Sequence, residues 1–335
     1  MTLLASYSAR TPHRPTMCLC DATPRHDPSG TSGIRRRYEA DLIRRFKRLR
    51  ALIYEAVVKN DVLGQGVSAQ MFQKSFGRDA AMIRDAVPGR QPGMSPRSNI
   101  DNPYRGRYQF SSSADKIDGF MAWLKQMQAE GILEIQIGTP LTQAAGTAWQ
   151  NVYIESAYRK GVADAAGRLR ESGARVEGSW VTAAFDRPIH ADRVALAYSR
   201  AFSDLAGVTD AMDAQISRVL AQGLSEGRGP MYIARQMVNR VDKIGIARAR
   251  IIARTEVIRA HAEATLNSYT EAKVEGVNVM AEFSTSLDNA VCPECAALEG
   301  KEYTMEQARG LIPVHPRCRC AYLPVVRAPE NLALQ

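Results

Sequence analysis

The chain has 335 residues, 45% apolar and 24% charged, which is ordinary globular usage and long enough for two domains. With 44 Lys and Arg against 35 Asp and Glu, its formal net charge is +9, so the expected partners are acidic: nucleic acid, an anionic membrane or an acidic protein surface. No apolar run reaches the roughly 18 residues of a membrane span, and Leu3-Leu4-Ala5 is too short for a signal-peptide core, so no membrane partner and a reducing cytoplasm are expected.

Residues 1–33 read as a disordered leader, broken by Pro12, Pro15, Pro24 and Pro28, with Met17 as a second candidate start. Its Cys18 and Cys20, near His13 and His26, are weak metal candidates, because free cysteines in tails are commonly incidental. A basic helical region follows over 34–87. Within it Ile34, Tyr38, Leu42, Phe46, Leu49, Ile53 and Val57 recur at spacings of three and four, which predicts an amphipathic helix over 34–60 with Thr31 or Ser32 as its cap. The other faces carry Arg35, Arg36, Arg37, Arg44, Arg45, Lys47, Arg48 and Arg50, opposed only by Glu39 and Asp41. That stripe is either a solvated face or a surface for DNA phosphates or acidic side chains.

Residues 88–114 contain Pro88, Pro92, Pro96 and Pro103 and read as a Pro/Gly-rich linker or arm. A helical core is expected over 115–275. Its first helix, 115–130, should end at Gly131, before a short strand at 132–137. A second runs from Pro140, capped by Thr139, to Gly173. A third starts at Pro188, with Asp186 as cap, and runs towards Leu205. A fourth follows Gly207, with Asp210 as its cap. A short helix covers 231–241, and the strongest covers 246–273, burying Ile252, Val257, Ile258, Ala262, Leu266 and Tyr269. On that helix Arg254 and Glu256 lack ion partners four residues on and are expected to contact another helix. His261 is expected on its polar face.

After Gly276 the texture changes. Val277, Val279, Ala281 and Phe283 alternate with polar residues, which predicts a strand, and 320–326 is a second apolar stretch before a 327–335 tail. Between them lie Cys292-Pro-Glu-Cys295 and His315-Pro-Arg-Cys318-Arg-Cys320. A C-x-x-C turn brings two thiolates to one point and supplies half of a tetrahedral zinc site. Either Cys318 and Cys320 or His315 and Cys318 complete it; five donors compete for four places. Reduced thiols without metal, or disulfides, are the alternatives. Asp288 is expected to cap the turn, and Arg317 and Arg319 to offset thiolate charge. The fold class expected is mainly α, with a small C-terminal α+β cysteine-rich, zinc-knuckle-like module over 276–326.

Taken together, Ala253-Arg254-Thr255-Glu256 on a helix, a strand, Asp288 with Cys292, Cys295, Leu298 and Gly300, and then His315-Pro316 with Cys318-Arg319-Cys320 resemble the phage Mu-type minor head, or phage head-morphogenesis, family. The resemblance covers roughly residues 140–326. It implies a non-enzymatic minor head protein of a tailed phage, located in the virion at the head interior or portal vertex after assembly in the host cytoplasm. Its implied partners are the portal protein, major capsid or scaffold proteins, and phage DNA bound without sequence preference. The other class is a zinc-containing nuclease, which requires a general base and a metal with open positions; among the module's donors there is one histidine, and a proline follows it.

Overall fold

The structure is a computed structural model that describes residues 27–63, 113–134, 148–177, 179–184, 187–274 and 276–327. The readings of Met17, of Cys18 and Cys20, of the 88–112 arm, of a strand over 135–137, of a helix start at Thr139-Pro140, of a cap at Asp186 and of the 328–335 tail lie outside these residues.

Helix α1 spans Ser32–Tyr54 and continues into a wider π turn, Glu55–Lys59. Tyr38, Leu42, Phe46, Leu49, Ile53 and Val57 are buried along one side, the stripe their spacing predicts. Helix α2, Ser113–Gln128, also ends in a π turn, Ala129–Leu133. Gly131 therefore does not end it, and Ile132 does not open a strand. The chain instead leaves the helix at Glu134, in a left-handed conformation with φ 48°.

Helix α3 covers Asn151–Glu171, α4 Trp180–Ala183 and α5 Pro188–Ser225. The expected break at Gly207 is absent. A glycine inside a helix costs about 1 kcal/mol against alanine, and the continuous buried stripe of Ala201, Leu205, Val208, Met212 and Ile216 outweighs that. Asp210 consequently sits mid-helix and caps nothing. Helix α6, Pro230–Arg240, passes through a π turn, Val241–Ile246, into α7, Ala247–Val274. Gly276, at φ 93°, ends α7 as the Val277 N–H returns to the Ala272 carbonyl at 2.9 Å.

Strand β1, Val279–Ser284, is central in a three-stranded antiparallel sheet of order β2-β1-β3, with β2 at Glu302–Tyr303 and β3 at Ala321–Val326. Two four-residue helices, α8 at Pro293–Ala296 and α9 at Met305–Ala308, lie on the excursion between β1 and β3. The architecture is mainly α with a small C-terminal α+β cysteine-rich module, as expected.

The chain divides into two compact units. The second comprises 35–154 and 195–254. In it Tyr38 stacks on Tyr153 at 4.9 Å and meets Trp149 edge-on at 5.8 Å. Arg254 and Arg250 of α7 reach Glu39 of α1 at 3.2 and 3.4 Å, so Arg254 does serve a contact to another helix. Val152 is 58% exposed.

The first unit comprises 1–34, 155–194 and 255–335. A single core joins Ala165 and Leu169 of α3, Ile258, Leu266 and Tyr269 of α7, and Val279, Phe283, Met305 and Tyr322 of the module. Glu256 finds its cation on its own helix, Arg259 at 2.6 Å. His261 is not on a polar face: it is 1% exposed, with Nε2 2.9 Å from Asp164 Oδ2, and Lys160 closes on the other carboxylate oxygen at 2.9 Å. Burial holds the His261 pKa down against the pull of Asp164. Burial raises the Asp164 pKa, but the bonds from His261 and Lys160 bring it net below the usual carboxylate value.

Gly161 makes this packing possible, because a Cβ there would lie 2.5 Å from the His261 carbonyl oxygen and 2.7 Å from Ala264 Cβ. Backbone cannot swing aside as a flexible side chain does. Gly161→Ala is expected to cost about 1–3 kcal/mol or more, read as a lower urea midpoint at unchanged slope; an unmoved midpoint would contradict so close an approach.

Candidate metal centre

The site is built by two turns on opposite sides of the excursion. Cys292, in extended conformation, caps α8 by accepting the Cys295 N–H on its sulfur at 3.4 Å, and Pro293 takes the first turn. This folds the two thiols together. On the other side the Cys318 N–H bonds to the His315 carbonyl at 3.1 Å, and Arg317 turns the chain at φ 69°. The Arg317 N–H points to Thr255 Oγ1 of α7 at 3.5 Å. β3 follows directly, so its pairing with β1, from Ser284 opposite Ala321 to Val279 opposite Val326, fixes where Cys320 lies.

All five donors singled out in the sequence come together. His315 Nε2 is 3.1 Å from Cys292 Sγ and 3.2 Å from Cys295 Sγ. The donor atoms of Cys292, Cys295 and His315 lie within 4.8 Å of one another, and so do those of Cys295, Cys318 and Cys320. Cys295 belongs to both sets. Cys295, Cys318 and Cys320 are buried, Cys292 is half-buried, and all four are free thiols. A small cavity is lined by Cys292, Cys295, His315 and Cys320, with Thr285, Ser286 and Arg319 beside them.

The donors fit a soft divalent ion such as zinc. His315 Nδ1 lies 2.8 Å from the Pro316 carbonyl oxygen, which can only accept, so Nδ1 carries the proton and the Nε2 lone pair faces the thiols. Hydrogen bonds from Cys295 and Cys320 hold the Cys318 pKa well down, and the bond to Cys318 drives that of Cys295 up.

Asp288 is a turn residue and an anchor for arginine. Its Oδ1 accepts the Ala290 N–H at 3.0 Å, and both oxygens take Arg319 in a two-pronged pair at 2.7 and 2.8 Å. Burial raises its pKa, but Arg319 and the Ala290 N–H bring it net below the usual carboxylate value. Arg319 is 4% exposed and pairs with Asp288, and it lines the cavity beside the cysteines.

The basic stripe of α1 divides in two. Arg35 is buried; Arg45 bonds to Glu134 at 2.6 Å and covers the Trp149 ring at 3.9 Å; Arg50 pairs with Asp242 at 3.3 Å. Arg36, Arg37, Arg44, Lys47 and Arg48 are exposed, Arg44 with Asp41 at 2.5 Å. At 100° per residue these five fall within an arc of about 120°.

Sequence reasoning missed a buried polar chain in the first unit. Arg309 donates to Asn267 Oδ1 at 3.1 Å, Asn267 Nδ2 to the Tyr158 hydroxyl at 2.9 Å, and Tyr158 lies 3.0 Å from His190 Nδ1. His190 Nε2 is 3.0 Å from Glu271, which Arg187 also meets at 3.3 Å. The available signal was Asn267 and Glu271, four apart in an alanine-rich helix that is buried on nearly every side.

Residues 214–323 match a family model described as Phage Mu protein F like protein. The matched segment runs from within α5 through α6 and α7 and includes all five donors. No curated protein and no solved structure matches the chain. Among the described residues, no helix is long and apolar enough to cross a membrane.

Proposed function

We propose that this chain, whose segment 214–323 belongs to the phage head-morphogenesis family, is a non-enzymatic minor head protein that acts at the portal vertex in capsid assembly, DNA packaging or ejection. The observation that carries this reading is the family match over the very segment that builds the cysteine cluster. On this reading four of the five donors Cys292, Cys295, His315, Cys318 and Cys320 would hold a structural Zn²⁺. Bound there, the ion supplies no open position for chemistry and clasps the two sides of the excursion together. The protein resides in the virion, after assembly in the host cytoplasm.

The exposed face of Arg36, Arg37, Arg44, Lys47 and Arg48 meets phosphates of phage DNA or acidic side chains of the portal. Five phosphate contacts would give duplex affinity a salt slope of about −4.5. Affinity capture of the full chain from infected cells tests the reading: portal protein and procapsids should co-purify, and charge reversal at those five positions should weaken the capture. Recovery of neither from infected cells overturns it.

A further inference from the structure

We propose that the cysteine cluster holds two ions. The first is the zinc described above, on Cys292, Cys295, His315 and Cys320. The second is another soft divalent ion, bound by sulfur alone, on Cys295, Cys318 and Cys320. The inference rests on the metal reading and deepens it, because it uses all five donors and makes Cys295 and Cys320 bridges between the ions.

The donors converge on two points. Donor atoms of Cys292, Cys295 and His315 lie within 4.8 Å of one another, and so do those of Cys295, Cys318 and Cys320. Zinc–sulfur bonds are about 2.3 Å long, so an ion seated at the first point leaves Cys318 outside its shell. Cys295 belongs to both triads. Cys320 also faces both points, since it lines the cavity shared by Cys292, Cys295 and His315, whereas Cys318 does not. Cys318 therefore serves the second point only.

The second point suits a thiophilic ion. Its three donors are all sulfur, the ligand type that selects zinc and other soft ions over magnesium or calcium. Cys295, Cys318 and Cys320 are 3%, 0% and 4% exposed, so little water competes for the place. Cys295 arrives from α8, and the other two arrive from the segment that enters β3. Arg319 between them is anchored on Asp288 at 2.7 and 2.8 Å, which fixes the segment that carries both thiols. Apolar packing alone gives no reason for three sulfurs to converge.

Formal charge favours the pair of ions. Two divalent ions with four thiolates and a neutral imidazole make a neutral cluster, whereas one ion with the same four thiolates carries −2. In so buried a place the neutral cluster costs less. Four thiol protons leave for solvent as the two ions bind.

Cadmium loading of the full chain under reducing conditions tests this. Cys18→Ser and Cys20→Ser remove the two cysteines outside the cluster, so the count reports on the cluster alone. Elemental analysis should give two cadmium ions per chain, and cadmium NMR two resonances split by coupling through the shared sulfurs. Cys318→Ser should lose one ion and one resonance. A single ion per saturated chain overturns the proposal, and so do two resonances without mutual coupling or a Cys318→Ser variant that keeps both ions. The count on the chain with all five donors decides even if Cys318→Ser fails to fold. A chain that takes up neither cadmium nor zinc overturns the metal reading itself.

Discussion

Stripping the ion is expected to melt the segment from β1 to β3 and to leave the long helices standing. Apart from β1, β3 and the core they share with α3 and α7, the elements of the module are short. β2 is two residues long, and α8 and α9 are four each, far below the length at which a helix is stable alone. Structural zinc sites contribute about 10–16 kcal/mol of apparent binding energy at neutral pH, which exceeds what so small a sheet can supply. Hydrogen exchange before and after chelation is the measurement: amide protection over 279–326 should fall by at least about two orders of magnitude, while α3 and α7 keep most of theirs. Protection unchanged in a chain shown to be metal-free would reject a stabilising role for the ion.

Asp288→Ala is expected to be the costliest single side-chain change outside the donors, at about 3–5 kcal/mol. The substitution removes the carboxylate and leaves the Arg319 guanidinium buried with no counter-charge, its side chain only 3% exposed. It also frees the Ala290 N–H that Asp288 accepts at the start of the turn into Cys292. Arg319→Ala should cost less, because the Asp288 side chain is 22% exposed and water can reach it. Thermal melting of the two variants decides it: the aspartate change should lower the midpoint more than the arginine change. The reverse order would mean that Arg319 does more than balance Asp288.

Much of this was legible in the residues. The buried stripe of α1 and the buried side of α7 follow from spacing, because burial on a helix repeats every three or four residues. The five candidate donors were legible because a C-x-x-C turn and a late His-x-x-Cys-x-Cys run each bring their side chains to one point. What spacing could not supply was partnership between distant segments. Arg45 and Arg50 read as free cations until Glu134 and Asp242, 89 and 192 residues away, meet them. His261 read as a surface residue because nothing local announces Asp164. Gly207 read as a break because propensity is local, whereas the stripe that overrides it spans the whole of α5. The π turns after α1 and α2 have no composition signal; α1 still ends at Lys59, as its spacing predicts, but the turn after α2 carries that helix past Gly131.

The pairing of β1 with β3 has one more consequence. Strands alternate faces, so sliding β3 by one residue along β1 would reverse every side chain it carries. Tyr322, whose hydroxyl bonds to the Ala308 carbonyl at 2.6 Å, would swing out of the core, and Cys320 would leave the cluster. Cys292 and Cys295 precede the excursion's far side, and His315, Cys318 and Cys320 follow it, so the full ligand set exists only in the native alignment. An ion bound by these donors would therefore act as a proofreader of strand register, tightly held by the correctly threaded chain and poorly by one that is a residue out of step.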